Sequence, residues 1–203
     1  MKFLLSFCLL LIVASTSNAQ EIRTKDGFIS ISLGAAIPTG DFADNDINNN
    51  DAGFAETGVS INLVNFGYLF SKNIGITAML QGAGFPFDNG NSSNEPIWSY
   101  GTFMVGPLFT VRNPGSDVEL DFRLMFGSMS AALDPDNGGE TFEGEGGALG
   151  LGAGLRYNIS DLIAFTTNLD IIGGKPEFDI NGNMSEQSIS SANFTFGIAF
   201  RLN

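Results

Sequence analysis

From Phe28 to Ile37 the chain reads FISISLGAAI, with Ile29, Ile31, Leu33, Ala35 and Ile37 on one face and Ser30, Ser32, Gly34 and Ala36 on the other. A period of two is the mark of a strand. The pattern recurs over Thr57 to Tyr68, Ile74 to Gln81, Tyr100 to Arg112, Val118 to Ser128, Ala148 to Tyr157, Leu162 to Ile172 and Asn193 to Asn203. These segments are each roughly 10 residues, the length a tilted strand needs to cross a bilayer. No stretch of comparable length carries the 3.6-residue period of a helix. Around Val64 to Phe70 the apolar residues change parity, which predicts a bulge in the second strand. Pro107 interrupts the fourth, where a ladder donor is missing.

The connections alternate as regularly as the faces. Pro38 to Phe54, Gly84 to Pro96, Met129 to Gly147 and Gly173 to Ser190 are long, whereas Phe70 to Asn73, Asn113 to Asp117 and Asn158 to Asp161 are tight turns. Long and short connections in strict alternation predict an all-β, eight-stranded antiparallel up-and-down transmembrane β-barrel, with short periplasmic turns and long extracellular loops. Both termini then face the periplasm.

The N-terminus adds a location. Met1-Lys2, an apolar run from Phe3 to Val13 and then Ser17-Asn18-Ala19 before Gln20 have the layout of a secretory signal, with cleavage after Ala19. The run is too short for a spanning helix, which needs roughly 20 residues. The expected organisation is a leader over 1–19 and a barrel domain over 20–203. The only cysteine, Cys8, lies in that leader, so the mature chain carries no thiol.

Composition narrows the chemistry. The 203 residues include 22 Asp plus Glu, 9 Lys plus Arg and no histidine, a formal net charge of -13. A polyanion partner needs a basic stripe, so nucleic acid is excluded. The acid sits in the long connections: Asp41, Asp44, Asp46 and Asp51 in the first, Asp88 and Glu95 in the second, Asp134, Asp136, Glu140, Glu143 and Glu145 in the third, and Glu177, Asp179 and Glu186 in the fourth.

A secreted, soluble, lipocalin-like barrel also alternates and also has about eight strands. The faces separate the two. A soluble barrel turns its less apolar face to water and loads it with Lys, Glu and Thr; here that face holds Ser, Gly, Asn and Thr with few charges, as a crowded lumen does. Small residues such as Gly150, Gly152 and Gly154 fit a narrow interior. The other face is rich in Phe, Leu and Ile and suits lipid.

The final strand contains Thr195-Phe196-Gly197-Ile198-Ala199-Phe200-Arg201-Leu202, and Thr195, Gly197, Phe200 and Leu202 resemble the signal by which outer-membrane barrels are recognised for assembly, although Asn203 stands where families commonly end on an aromatic. Gly34 through Pro38-Thr39-Gly40-Asp41-Phe42-Ala43 likewise resembles the first strand and loop entry of the small OmpA/OmpX-type outer-membrane β-barrel proteins. The resemblance implies a monomeric or weakly associating barrel in the bacterial outer membrane, in contact with lipid and delivered by the barrel-assembly machinery. Activities within that family range from anchoring through adhesion to small-solute passage.

Inward parity places Glu119, Asp121 and Arg123 in the lumen from the fifth strand and Arg156 from the sixth, predicting a buried ion-pair network near the periplasmic end. Asp170 and Asn168 point inward nearer the upper rim, and Arg201 closes the lower end. Two carboxylates at i and i+2 also suit general acid/base chemistry, but guanidinium partners are at hand. The known outer-membrane enzymes resemble Ser-His or Asp-His arrangements, and a chain without histidine is expected not to be an enzyme. Asp134, Asp136 and Glu145, with Gly139 between, match positions one, three, twelve and six of a calcium loop, although Gly138 replaces the usual ligand at position five. Asp44-Asn45-Asp46-Ile47-Asn48 repeats the opening, with Ala55 in place of the closing carboxylate. Oxygen ligands favour calcium over zinc, and no other cofactor is expected. Three functions stay open: a structural or interaction barrel whose acidic loops meet cations or surface ligands, a porin-like path for small solutes, and a soluble ligand-binding barrel.

Overall fold

The structure, a computed structural model, describes residues 26–87, 96–113, 115–135, 141–180 and 182–202. The expected leader lies outside these residues. Among the described residues ten strands follow one another: β1 (Gly27–Pro38), β2 (Gly58–Leu69), β3 (Ile74–Pro86), β4 (Ile97–Arg112), β5 (Val118–Asp134), β6 (Phe142–Asn158), β7 (Ile163–Gly174), β8 (Glu177–Ile180), β9 (Asn183–Glu186) and β10 (Ile189–Leu202). Eight of them, β1 to β7 and β10, form a closed antiparallel ring, with β1 joined to β10 and β5 to β6.

The ring is staggered. Following paired residues from Ile29 through Phe66, Ala78, Val105, Phe126, Leu149, Gly173 and Ser190 leads back to Thr39, whose N–H donates to the Ser190 carbonyl, ten residues further along β1. Such a stagger tilts the strands against the barrel axis. The alternation read in the sequence becomes the two faces of the wall. Leu33, Phe103, Leu124, Leu151 and Ile171 point outward and are exposed, whereas Ser32, Thr102, Arg123 and Asp170 point inward and are buried. An apolar exterior around a polar interior is the arrangement a lipid solvent demands. Among the described residues no helix is long and apolar enough to cross a membrane.

Both expected irregularities are present. The register of β2 shifts between Asn62 and Val64, so Ser60 and Asn62 face inward above the bulge and Asn65, Gly67 and Leu69 below it. Pro107 pairs with Ile76 of β3 but falls in a gap in the β4–β5 ladder between Val105 and Leu108. The register on either side of that gap is unbroken, so the faces of β4 keep their parity.

Two expectations are corrected. Met129 to Gly147 is not one long loop, because β5 and β6 run on to Asp134 and from Phe142, with Met129 opposite Gly146 and Ala131 opposite Gly144. Small residues there carry the ladder without a strong hydrophobic period. Gly173 to Ser190 holds the β8–β9 hairpin, which docks on the upper end of β6 through Gly144 opposite Phe178 and Glu145 opposite Glu177. A Cβ on Gly144 would lie 2.9 Å from the Phe178 ring, and one on Gly146 would lie 2.6 Å from the Lys175 carbonyl. The bare backbone of β6 is what lets the fourth loop lie against it.

Candidate functional site

The lumen divides into three levels. At the end of the short turns, Arg156 projects inward from β6 directly opposite Glu119 of β5. Its guanidinium grips Asp121 with both edges, Nε to Oδ2 at 2.6 Å and Nη2 to Oδ1 at 2.8 Å, and reaches Glu119 Oε2 at 3.0 Å. Thr110 donates to Asp121 Oδ1 at 2.6 Å and Asn158 to Glu119 Oε1 at 3.1 Å. Arg201 approaches Glu119 Oε1 at 3.6 Å from β10. The Arg156 guanidinium also lies 3.9 Å from the ring centroid of Phe28, which packs with Leu69 and Leu108. Charged, forked hydrogen bonds of this kind satisfy a buried cation on its polar edges while the ring covers its face.

Arg123 belongs to a different pair. Its Nη2 meets Asp170 Oδ1 at 2.9 Å and Asn168 Oδ1 at 3.1 Å, both on β7. The single network of Glu119, Asp121, Arg123 and Arg156 is therefore corrected to two, the second formed with Asp170, which lies nearer the upper rim than Glu119 and Asp121 as expected. The cause is Gly152, which is the β6 residue paired with both Arg123 and Asp170. A Cβ there would collide with Asp170 Oδ1 and lie 2.8 Å from Arg123 Nε. With no side chain in the way, Arg123 reaches across a whole strand to its acid.

The third level, at the long-loop end, is aromatic. Phe42, carried by a 3₁₀ turn over Gly40–Ala43, is fully buried against Phe85 and Trp98, with ring centroids 5.1 and 5.9 Å away. Phe178 of β8 also packs edge-on against Trp98, with ring centroids 5.8 Å apart. The Trp98 indole donates to the Gly53 carbonyl at 2.8 Å, and Tyr100 shares a 2.7 Å hydrogen bond with Ser191. None of these aromatic roles was read from the sequence. Trp98 and Tyr100 do fall on the inward parity of β4, which is the signal that could have found them.

The other sequence-marked residues are spread out. Thr195 is buried and shares a 3.0 Å hydrogen bond with Ser32, Gly197 lets the Ile31 carbonyl pass close to its backbone, and Phe200 and Leu202 are exposed on the outer face. Asp136 lies outside the described residues. Asp134 ends β5, but Glu145 is drawn into the ladder opposite Ser130, four residues away, or roughly 13 Å at the rise of a strand. The first and twelfth positions of the calcium-type spacing therefore do not converge. In the first loop Asp44 accepts from the Asn49 side chain at 2.7 Å and from the Asp46 N–H at 3.0 Å, and Asp46 accepts from the Asn48 N–H at 3.0 Å. The Asn49 contact, then the Asp46 N–H, hold the Asp44 carboxyl below the usual carboxylate range. Among the described residues no group of three or more carboxylates is placed to hold a metal.

A closed ring of eight antiparallel strands, apolar outside and polar inside, is the fold of the small outer-membrane barrels. The structure is similar to Neisserial surface protein A, with a TM-score of 0.60 and 11% identity over 87% of this chain and 97% of that one. It is also similar to Ail, the attachment invasion locus protein of Yersinia pestis, crystallised in complex with the heparin analogue sucrose octasulfate, with a TM-score of 0.51 and 17% identity over 87% of this chain and 99% of that one. At these identities the likeness is one of fold. No protein-family model matches the chain. No curated protein matches it by sequence either.

Proposed function

We propose that the chain is an integral barrel of the bacterial outer membrane, without enzymatic activity, whose role is structural and interactive. Its lumen is closed by its own side chains, and its acidic loops face outward. The observation that carries this reading is the filling of the lumen at both ends: the Arg156 pairs with Glu119 and Asp121 at the turn end, and Phe42, Phe85, Trp98 and Phe178 at the loop end. An eight-stranded interior has room for side chains and little more. The exposed apolar wall supports the membrane location, and the similarity to two surface barrels agrees with it. Ail was crystallised with a polyanion. The loops of the present chain carry the opposite charge to a polyanion's partner, so they favour cationic or neutral groups instead.

Planar-bilayer recording of the purified, detergent-extracted protein tests the closed lumen: no steady conductance is expected, and a stable ion current would replace this reading with porin-like passage. Heat-modifiable gel migration tests the barrel in the membrane fraction, and recovery in the soluble periplasmic fraction would overturn the outer-membrane location.

A further inference from the structure

The fourth loop is an arm on a narrow hinge. β7 ends at Gly174 and β10 begins at Ile189, and these two residues pair with each other, so residues 175–188 leave the wall and return to it at one point. Within the arm, β8 and β9 pair along their whole length. Against the wall the arm has less, namely two residue pairs with β6, Gly144 with Phe178 and Glu145 with Glu177. On the inner face Phe178 carries the docking. It is 4% exposed, with its ring over the bare backbone of Gly144 and edge-on against Trp98. Gln187 Nε2 adds a hydrogen bond to the Asp51 carbonyl of the first loop at 3.0 Å.

On the outer face of the same seam, charge opposes the docking. Residues directly opposite in an antiparallel ladder share a face, with Cβ atoms about 4.5–5.5 Å apart. Glu145 faces Glu177 and Glu177 faces Glu186, so three exposed carboxylates stand in one row across β6, β8 and β9. Like charges in these positions are destabilising. Among the described residues the ion pairs lie in the lumen and at its turn end, and none reaches this row. Repulsion between Glu177 and Glu186 acts within a hairpin held by four residue pairs. Repulsion between Glu145 and Glu177 is met only by the two docking pairs, the Phe178 ring and Gln187, so it acts on the weaker joint.

We infer that the β8–β9 hairpin is a lid over the aromatic level of the lumen, which swings about Gly174 and Ile189, docks through Phe178 on Gly144 and Trp98, and is released by repulsion between Glu145 and Glu177. Screening of the carboxylate row closes the lid, and low ionic strength opens it. Opening uncovers Trp98 while Phe42 stays against it and the Arg156 level below stays closed. The lid thus sets what the loop end presents to its surroundings: an aromatic surface when open, an acidic hairpin when shut. It rests neither on the membrane location nor on the absence of conductance, because hinge, docking pairs and charges all lie at the loop end.

Acrylamide, an uncharged quencher, reads access to the single tryptophan in the purified full-length mature protein in nonionic detergent micelles. Quenching of Trp98 is expected to fall about twofold between about 0.01 and 1 M sodium chloride, over which the Debye length shrinks from about 30 to about 3 Å. Glu177→Gln removes the charge shared by both contacts and is expected to show the lower quenching already at low salt. Asp161→Asn makes the same change of net charge at the turn end and is expected to behave as the wild type. Quenching that responds neither to salt nor to Glu177→Gln would overturn the inference, and so would an equal response to Asp161→Asn. Glu145→Cys combined with Glu177→Cys sets two thiols opposite each other, at a separation a disulfide spans, in a chain whose only other cysteine, Cys8, lies in the expected leader. The oxidised form is expected to hold the lower quenching at every salt concentration. Quenching there equal to that of the wild type at low salt would mean that Trp98 is reached without moving the hairpin, and would refute the lid even with a salt response present. The salt titration of the unaltered chain decides the outcome if a variant fails to fold.

Discussion

Arg123 and Asp170 show how strongly one missing side chain directs the lumen. Removing one member of a buried pair strands the other as an uncompensated charge, which costs about 3–5 kcal/mol, whereas replacing both by apolar residues of similar volume is often neutral. Asp170→Asn is therefore expected to lower the urea-unfolding stability in micelles by that order, and Arg123→Met combined with Asp170→Leu to restore most of it. Gly152→Ala should act on the same pair without touching either charge, because the new methyl occupies the position of Asp170 Oδ1. Its mark would be loss of stability in the wild-type background and little further loss in the Arg123→Met, Asp170→Leu background. The inward parity of Arg123 was legible in the sequence, since alternation alone decides it. Its partner was not, because the choice between Asp121 two residues away and Asp170 two strands away depends on the register that brings Gly152 between them. In the first loop, the lowered acidity range of Asp44 has a defined sign: its contribution is present above the ordinary carboxyl pKa and fades as pH falls through the depressed value. The Asp46 amide resonance, whose N–H bonds to Asp44, should shift over that acid range and stay fixed near neutrality.

Among the elements, β2 offers the sharpest test of register. The bulge adds one residue between two halves of opposite parity, so deleting Val64 should leave Asn62 and Asn65 both inward on a regular strand. Deleting Ile61 should instead turn Asn62 toward lipid and Leu63 toward the lumen. Heat-modifiable gel migration is expected to survive the first deletion and fail in the second. The eight wall strands were readable because lipid and lumen impose opposite chemistry on alternate residues. The same logic explains the misses. The upper part of β5 and β6 stands above the apolar belt, where Ser130, Glu143 and Glu145 face outward and no longer contrast with Gly144 and Gly146 behind them. The β8–β9 hairpin has a local cue in Asn181-Gly182, a favoured two-residue turn, and Gly182 has φ +83°. Each strand there has only four residues, too few for a period to stand out.

The whole molecule is a wall that separates two environments, and its outer surface should respond to charge by depth. Leu124 lies midway along the apolar face of β5 and Val118 at its lower end. Leu124→Arg is expected to cost about 2–4 kcal/mol in a lipid bilayer and Val118→Arg about 0–1 kcal/mol, as measured by reversible unfolding from liposomes. A soluble barrel would show no such gradient. The single tryptophan, Trp98, reports the loop end because the Phe42 and Phe178 rings pack against it. Phe42→Ala should move its emission to longer wavelength while leaving the unfolding of the wall nearly unchanged. The β1–β10 seam, finally, has a bearing on time. Gly27 pairs with Leu202, near opposite ends of the described chain, so the ring cannot close until the last strand has been delivered. Contacts so distant in sequence form slowly and expose unpaired edges while they wait. Seven strands in place still leave two free edges, so truncation within β10 should yield an aggregate in place of a smaller closed barrel.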